Sequence, residues 1–227
     1  MATPPLLQAV LFDMDGLLVD TEGLWFEVES SLMAELGCSF GRDDAAAVVG
    51  GPMERTVRYM IERCGADLPA AELVERLVTR MAEALNRGVS FLPGAKDLLA
   101  EVNAAGVPAA LVSSSYRHHV DAVLETVGSH LFAVTVSGDE VPHNKPHPDP
   151  YLAAACHMAV DPGYCVVLED SPTGVASAEG AGCVTVAVPS VAPIPAVPGR
   201  TVLASLEEVD LARLRGILAA TRPPPGA

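Results

Sequence analysis

The sequence predicts an α/β fold, a doubly wound, Rossmann-like parallel sheet core with an inserted helical cap, and three observations carry that expectation. Short β-rich runs recur at AVLF (9–12), PAALVS (108–113), FAVTV (132–136), CVVLE (165–169) and VTVAV (184–188). They are nearly continuous in apolar residues rather than alternating, as parallel strands covered on both faces should be. Helical patterns separate the later runs, and roughly 30 residues suffice for a strand-helix-strand unit, yet about 100 residues lie between Asp13 and Ser113. That excess predicts an insertion.

Each element follows from local signals. Residues 21–37 place Leu24, Val28, Leu32 and Leu36 at four-residue spacing and close on Gly37, the pattern of a helix with one apolar face. Residues 53–65 and 70–88 continue in the same style, so residues 20–90 are read as an α-helical cap, and residues 1–19 with 91–227 as the Rossmann-like core. Residues 93–106 carry Pro93 near the start, Leu98, Leu99 and Val102 on one face, and Gly106 as a C-terminal cap. Helices over 116–128, 148–159 and 172–182 alternate with the remaining strands. Beyond them, the proline-rich 189–199 segment reads as a stiff surface loop, and the closing TRPPPGA is expected to be disordered.

Composition narrows the class. A net charge of −15, from 14 basic and 29 acidic residues, disfavours nucleic acid and anionic membranes as partners. Any phosphate must therefore be held by a local site. The five cysteines lack paired spacing and read as buried thiols in a reducing compartment. The N-terminus lacks the charged region of a secretory leader, and no apolar stretch reaches the roughly 20 residues of a membrane span. A cytoplasmic protein is expected, a monomer or weak dimer given a compact core with its own cap. The six histidines show no ligand spacing tied to the acidic residues and read as surface or helix-start positions.

The chemistry begins where the first strand meets Asp13 and Asp15. Side chains two apart on an extended strand point to the same side. At roughly 4 Å and an effective dielectric of about 20 their repulsion is on the order of 4 kcal/mol, which a bound cation or a shared proton would offset. Ser113 follows the second strand, Glu169 and Asp170 follow the fourth, and Lys145, one of two lysines, lies in the loop at 138–151. Singly, these are ordinary turn, cap and loop residues. Together they stand at the carboxyl ends of parallel strands, where open α/β sheets bind ligands.

FDMDG, LVSSS, KPHPDPY and LEDSPTGVASAEGAG resemble the four ordered motifs of the haloacid dehalogenase superfamily. The resemblance is closest to the branch containing β-phosphoglucomutase and the small sugar-phosphate phosphatases, and it spans essentially the whole chain. It implies that Asp13 is a nucleophile forming an aspartyl-phosphate, and Asp15 the general acid and base. It implies a phosphate cradle from Ser113 and the N–H of Ser114, with Lys145 neutralising phosphoryl charge and orienting Asp13. It further implies a Mg2+ site made by Asp13, Asp170 and the backbone carbonyl of Asp15, with Glu169 as a direct or water-mediated ligand. All-oxygen ligation suits Mg2+.

Several reactions occur in this superfamily. A dehalogenase has no oxygen leaving group to protonate, so Asp15 argues against one. Schiff-base phosphonate hydrolysis needs a cap lysine, and Lys96 and Lys145 are the only lysines. The β-phosphoglucomutase pattern sets a cap histidine twelve residues after the nucleophile, where this chain has Trp25. It also sets a cap arginine after the VG turn, where this chain has Met53 beside Glu54, with Arg55 one residue further. Both departures favour a phosphatase acting on a small phosphorylated metabolite, a sugar or nucleoside monophosphate. The alternatives are a phosphoryl-transfer mutase and a non-catalytic binding protein on the same fold, the latter disfavoured because every catalytic position holds a competent residue. Glu22, Trp25 and Arg55 are the cap residues expected to meet substrate, Trp25 being alternatively part of the cap core.

Overall fold

The computed structural model describes residues 7–222. Six parallel strands, β1 (Ala9–Phe12), β2 (Ala109–Val112), β3 (Val134–Val136), β4 (Cys165–Glu169), β5 (Val184–Ala187) and β6 (Arg200–Val202), pair in the order β3-β2-β1-β4-β5-β6. The order runs outward from β1 on one side and from β4 on the other, so the topological switch lies between these two strands. Phe12 is in register with both Leu111 and Leu168, which brings the ends of β1, β2 and β4 level beneath one crevice.

Four helices, α1 (Glu22–Glu35), α2 (Arg42–Val48), α3 (Met53–Cys64) and α4 (Ala70–Leu85), lie between β1 and the rest of the sheet layer. They are followed by α5 (Ala95–Ala104), α6 (Arg117–Val127), α7 (Asp149–His157), α8 (Pro172–Gly180) and α9 (Leu211–Thr221). Alternation along each strand divides the apolar runs between two faces. Val10, Phe12, Leu111 and Leu168 pack under residues of α5, α6 and α9, whereas Leu11, Ala110 and Val167 pack against Tyr151, Ala154 and Ala178 of α7 and α8. This double cover is why the strands read as unbroken apolar segments.

The insert joins the sheet layer through two adjacent segments. The Asp20 N–H donates to the Ser90 carbonyl (2.9 Å) and the Leu92 N–H to the Leu18 carbonyl (3.1 Å). Within the insert, α4 packs against α1 and α3 through Leu73, Leu77 and Met81, and its apolar cluster is continuous with the first face of the sheet.

Three elements go beyond the sequence expectation. α2 is seven residues long and contains three consecutive alanines, too short for a periodic signal, and Asp44 holds the N–H of Gly41 (2.8 Å) at its start. β6 is a three-residue, half-buried edge strand without a continuous apolar run. α9 carries Leu211, Leu214 and Leu218 at helical spacing behind Asp210, whose carboxylate accepts the Arg213 N–H (2.6 Å), so its signal was present in the chain. In α1 the buried stripe is Val28, Glu29, Leu32 and Met33, with Leu24 and Leu36 only half-buried. The stripe is displaced because another face of α1 borders a cavity.

Cys165 and Cys183 are buried as expected, but Cys38 and Cys64 are half-buried and Cys156 is exposed on the outer side of α7. No described helix is long and apolar enough to cross a membrane. Residues 1–6 of the N-terminus and all of TRPPPGA beyond Arg222 lie outside the described residues.

Leu77 is fully buried at the centre of the α4 packing, so Leu77→Ala is expected to destabilise the protein by about 3 kcal/mol. Chemical denaturation would show this as a lower midpoint with an unchanged slope.

Candidate active site

The site is organised around a buried ammonium. β1 hands the chain to Asp13, whose N–H bonds the Leu168 carbonyl of β4 (3.0 Å). Lys145 Nζ donates to Asp13 Oδ1 (2.7 Å), Glu169 Oε1 (2.7 Å) and the Val112 carbonyl (2.9 Å), so three acceptors from the ends of β1, β4 and β2 take its three protons. Tyr151 donates its hydroxyl to Glu169 Oε1 (2.7 Å), and its ring lies 4.8 Å from Nζ. Glu169 Oε2 accepts from the Asp170 N–H (3.1 Å), the Ser171 N–H (3.2 Å) and the Ser171 hydroxyl (3.2 Å). Glu169 is fully buried with both oxygens engaged, which locks the β4 loop to Lys145.

Burial opposes the charge on Lys145, but Asp13 and Glu169 outweigh it and hold the ammonium above the ordinary lysine range. Burial pushes the Asp13 carboxyl well up, Lys145 pulls it back, and Glu169 and Asp15 push it further. Asp170 is likewise raised well above its ordinary value by burial, then by Asp13 and Glu169, with Ser190 donating to its Oδ2. Asp13, Glu169 and Asp170 each bring a carboxylate oxygen within 4.8 Å of the others. One ammonium does not balance three acids. The donor set is all oxygen and anionic in excess, and the Asp15 carbonyl accepts no backbone N–H among the described residues; these features fit a divalent cation such as Mg2+.

Two glycines allow the close approaches. Gly16 has a positive φ of 76°, and a Cβ there would fall on Asp170 Oδ2. Gly50, with φ 65°, would place a Cβ on the Ser171 side chain, where the α2-α3 connection seats against the core.

Asp15 is half-buried and held by a separate set of donors. Its Oδ1 accepts from Thr21 Oγ1 (2.7 Å) and Trp25 Nε1 (3.1 Å), and its Oδ2 from the hydroxyls of Ser113 (3.2 Å) and Ser115 (2.9 Å). The two neighbouring aspartates therefore do not share a proton; different donors relieve each. Ser113 Oγ also accepts the Ser115 N–H (2.9 Å), while the Ser114 N–H meets no acceptor among the described residues. The Ser114 carbonyl is held by Asn144 Nδ2 (2.9 Å).

Asp13 and Asp15 open into a cavity of about 460 Å3 between the sheet edge and α1, α2 and α3. Ser114 and Ser115 border it on the core side. Glu22, Trp25 and Glu29 border it from one face of α1 at i, i+3 and i+7. Burial, with Asp15 and Asp20, raises the Glu22 carboxyl to about 7, and burial, with Glu22, raises that of Glu29 to about 8.

Sequence reasoning placed Asp13, Asp15, Glu22, Trp25, Ser113, Ser114, Lys145, Glu169 and Asp170 here, and the structure brings all nine together. It does not bring Arg55 to the cavity. Met53 and Thr56, one helical turn apart on α3, line the wall, whereas Arg55 lies on a different face and donates to the Ala47 carbonyl (2.6 Å) and Thr173 Oγ1 (3.3 Å). Trp25 combines its two expected positions, packing against the core cluster and bordering the cavity, and its indole also bonds Asp15. His119 stands in the first turn of α6, a helix-start position as expected, but not at the surface. It is fully buried between α6 and α4, its Nε2–H donating to the Val78 carbonyl (2.9 Å) and its ring edge-on to Trp25, and burial lowers its pKa. Thr21, Glu29, Ser115, Asn144 and Tyr151 were not singled out. Tyr151 lay inside the quoted KPHPDPY motif, and Ser115 inside the serine cluster; Glu29 carried no local signal.

An open parallel sheet with an acidic, lysine-bridged crevice at its switch point and a helical insert over it is a ligand site of the doubly wound α/β class. Residues 10–188 match the haloacid dehalogenase-like hydrolase family, and the chain belongs to it. It is 33% identical over 217 residues to hexitol phosphatase B of Escherichia coli O157:H7, covering 94% of this chain and 97% of that one. It is 36% identical over 189 residues to a probable pseudouridine-5'-phosphatase of Drosophila melanogaster, covering 79% and 80%. The crystal structure of a CbbY variant from Rhodobacter sphaeroides in complex with xylulose-(1,5)bisphosphate superposes with a TM-score of 0.80 at 29% identity, over 91% of this chain and 98% of that one.

Glu29 has a folded value of about 8 against an ordinary 4.5. A carboxyl raised on folding contributes stability fully below the unfolded value and loses it as pH rises through the folded one. Metal-free protein is therefore expected to lose thermal stability between pH 5 and pH 8, and Glu29→Gln to flatten that loss. Parallel melting curves for the two proteins across that range would refute the assignment.

Proposed function

We propose that the protein is a Mg2+-dependent phosphatase that hydrolyses a small phosphorylated metabolite, a sugar or nucleoside monophosphate, through an aspartyl-phosphate on Asp13. The observation that carries this reading is the division of labour between the neighbouring aspartates, one paired with a buried lysine and the other held by neutral hydroxyl and indole donors. Lys145 fixes Asp13 through Oδ1, which leaves Oδ2 to attack phosphorus. The Ser114 N–H, which meets no acceptor among the described residues, and the Ser113 hydroxyl, on turning from Asp15, would hold phosphoryl oxygens. Asp15 protonates the leaving oxygen as phosphorus transfers to Asp13, then takes a proton from the water that hydrolyses the acyl phosphate. Asp13, Asp170 and the Asp15 carbonyl would hold Mg2+, with Glu169 behind them; when bound, the ion supplies positive charge to the phosphoryl oxygens.

Residues 20–90 would serve as a cap hinged near 17–21 and 89–93, sheltering the aspartyl-phosphate from bulk water. Thr21 and Trp25 tether Asp15 from the cap side, which makes the acid's position depend on cap closure. Relatives named as phosphatases support monoester hydrolysis. The engagement of Arg55 by Ala47 and Thr173 disfavours a mutase, which would need a cap cation for a second phosphate.

Asp13→Asn is expected to reduce Mg2+-dependent phosphate release from a monophosphate panel by roughly a thousandfold or more while leaving the circular dichroism spectrum unchanged. Retained turnover would overturn the assigned nucleophile. Millimolar Mg2+ should raise the melting temperature of the wild type and fail to raise that of Asp170→Asn, because only a ligand that binds the folded state stabilises it. Equal shifts in the two proteins would place the ion elsewhere.

A further inference from the structure

We propose that Glu29, with Glu22, forms the leaving-group subsite of the cavity and selects an uncharged, polyhydroxylated leaving group, excluding substrates that carry a second phosphate. This rests on the phosphatase reading above. Glu29 is 5% exposed and borders the cavity, yet no described residue hydrogen-bonds its carboxyl. Its carboxyl is free for a molecule that enters the cavity.

The position of Glu29 relative to Asp15 indicates what that molecule presents. Trp25 bonds Asp15, which meets the leaving oxygen, and Glu29 stands four residues further along the same face of α1, about 6 Å by helical rise. A short polyol or sugar chain spans that length. Phe26, Val49 and Met53 supply apolar surface for its carbon backbone.

The chemistry of the wall selects among such chains. With burial raising Glu29 to about 8, its carboxyl offers a hydroxyl donor as well as an acceptor oxygen near neutrality, and Glu22 lines the same wall nearer Asp15. Sugar hydroxyls donate and accept in the same way. A second phosphate would instead face Glu22, Glu29 and Asp43, with Arg42 the one basic residue among the described lining, itself exposed and adjacent to Asp43. Its negative charge would be drawn from water towards a wall that offers no buried cation to balance it.

The test measures kcat/KM of the full-length, Mg2+-loaded protein on acetyl phosphate, a hexitol monophosphate, phosphoethanolamine and a pentulose 1,5-bisphosphate. The wild type is expected to favour the hexitol monophosphate over the bisphosphate and over phosphoethanolamine by at least about tenfold. Glu29→Leu should lower kcat/KM for the hexitol monophosphate about tenfold more than for acetyl phosphate, the scale of one lost hydrogen bond. Glu29→Gln, which keeps a donor and an acceptor, should recover most of that loss. Equal losses on both substrates, or a wild-type preference for the bisphosphate or the ammonium substrate, would overturn the subsite. The wild-type panel decides the question even if a variant misfolds. Absence of Mg2+-dependent acetyl phosphate turnover in the wild type would overturn the phosphatase reading itself and the subsite with it, whereas turnover without selectivity removes the subsite alone.

Discussion

The buried ammonium of Lys145 is the interaction on which the rest of the site depends. Parallel strands at a topological switch point direct their carboxyl ends into one crevice, and this chain fills that crevice with Asp13, Glu169 and Asp170. In a poorly solvated interior, close carboxylates repel strongly unless countercharge is present. Lys145 supplies part of it and joins three strand ends through Asp13, Glu169 and Val112. Tyr151 and the Asp170 and Ser171 amides complete the hold on Glu169. The uncompensated remainder is anionic and all oxygen, a set that fits a divalent cation.

Asp15 is connected differently, and the contrast explains how two aspartates one residue apart can do different work. It has no lysine; it is suspended between serine hydroxyls of the β2 loop and two donors at the start of the insert. The insert is therefore bonded to Asp15 directly through Thr21 and Trp25, while Asp13 is held by the core. His119 buttresses Trp25 from α6 and bonds Val78 of α4, linking the core to the far side of the insert.

The insert also forms a wall of the cavity, and there the local rules of helix reading are least informative. Glu22, Trp25 and Glu29 look like the solvated side of an amphipathic helix. They face a cavity because α2, too short and alanine-rich to announce itself, closes the opposite side. Arg55 illustrates the same limit: two neighbours at helical spacing line the wall, and one residue's rotation takes the guanidinium to Thr173 instead.

What the sequence determined by itself was the alternation of the first five strands with most of the helices, the presence of an insert after the first strand, and the identity of the charged groups at the strand ends. These are local properties, because period, cap residues and the polar residue ending an apolar run are all encoded within a few positions. Only the tertiary structure decided that Lys145 divides its protons among three strand ends, that Trp25 and Thr21 reach Asp15, that His119 is interior, and that Glu29 is a mostly buried residue on the cavity wall. Each of these requires elements distant in the chain to meet. A side chain's chemistry is written at its own position, whereas its burial and its hydrogen-bond partners come from whatever the fold brings against it.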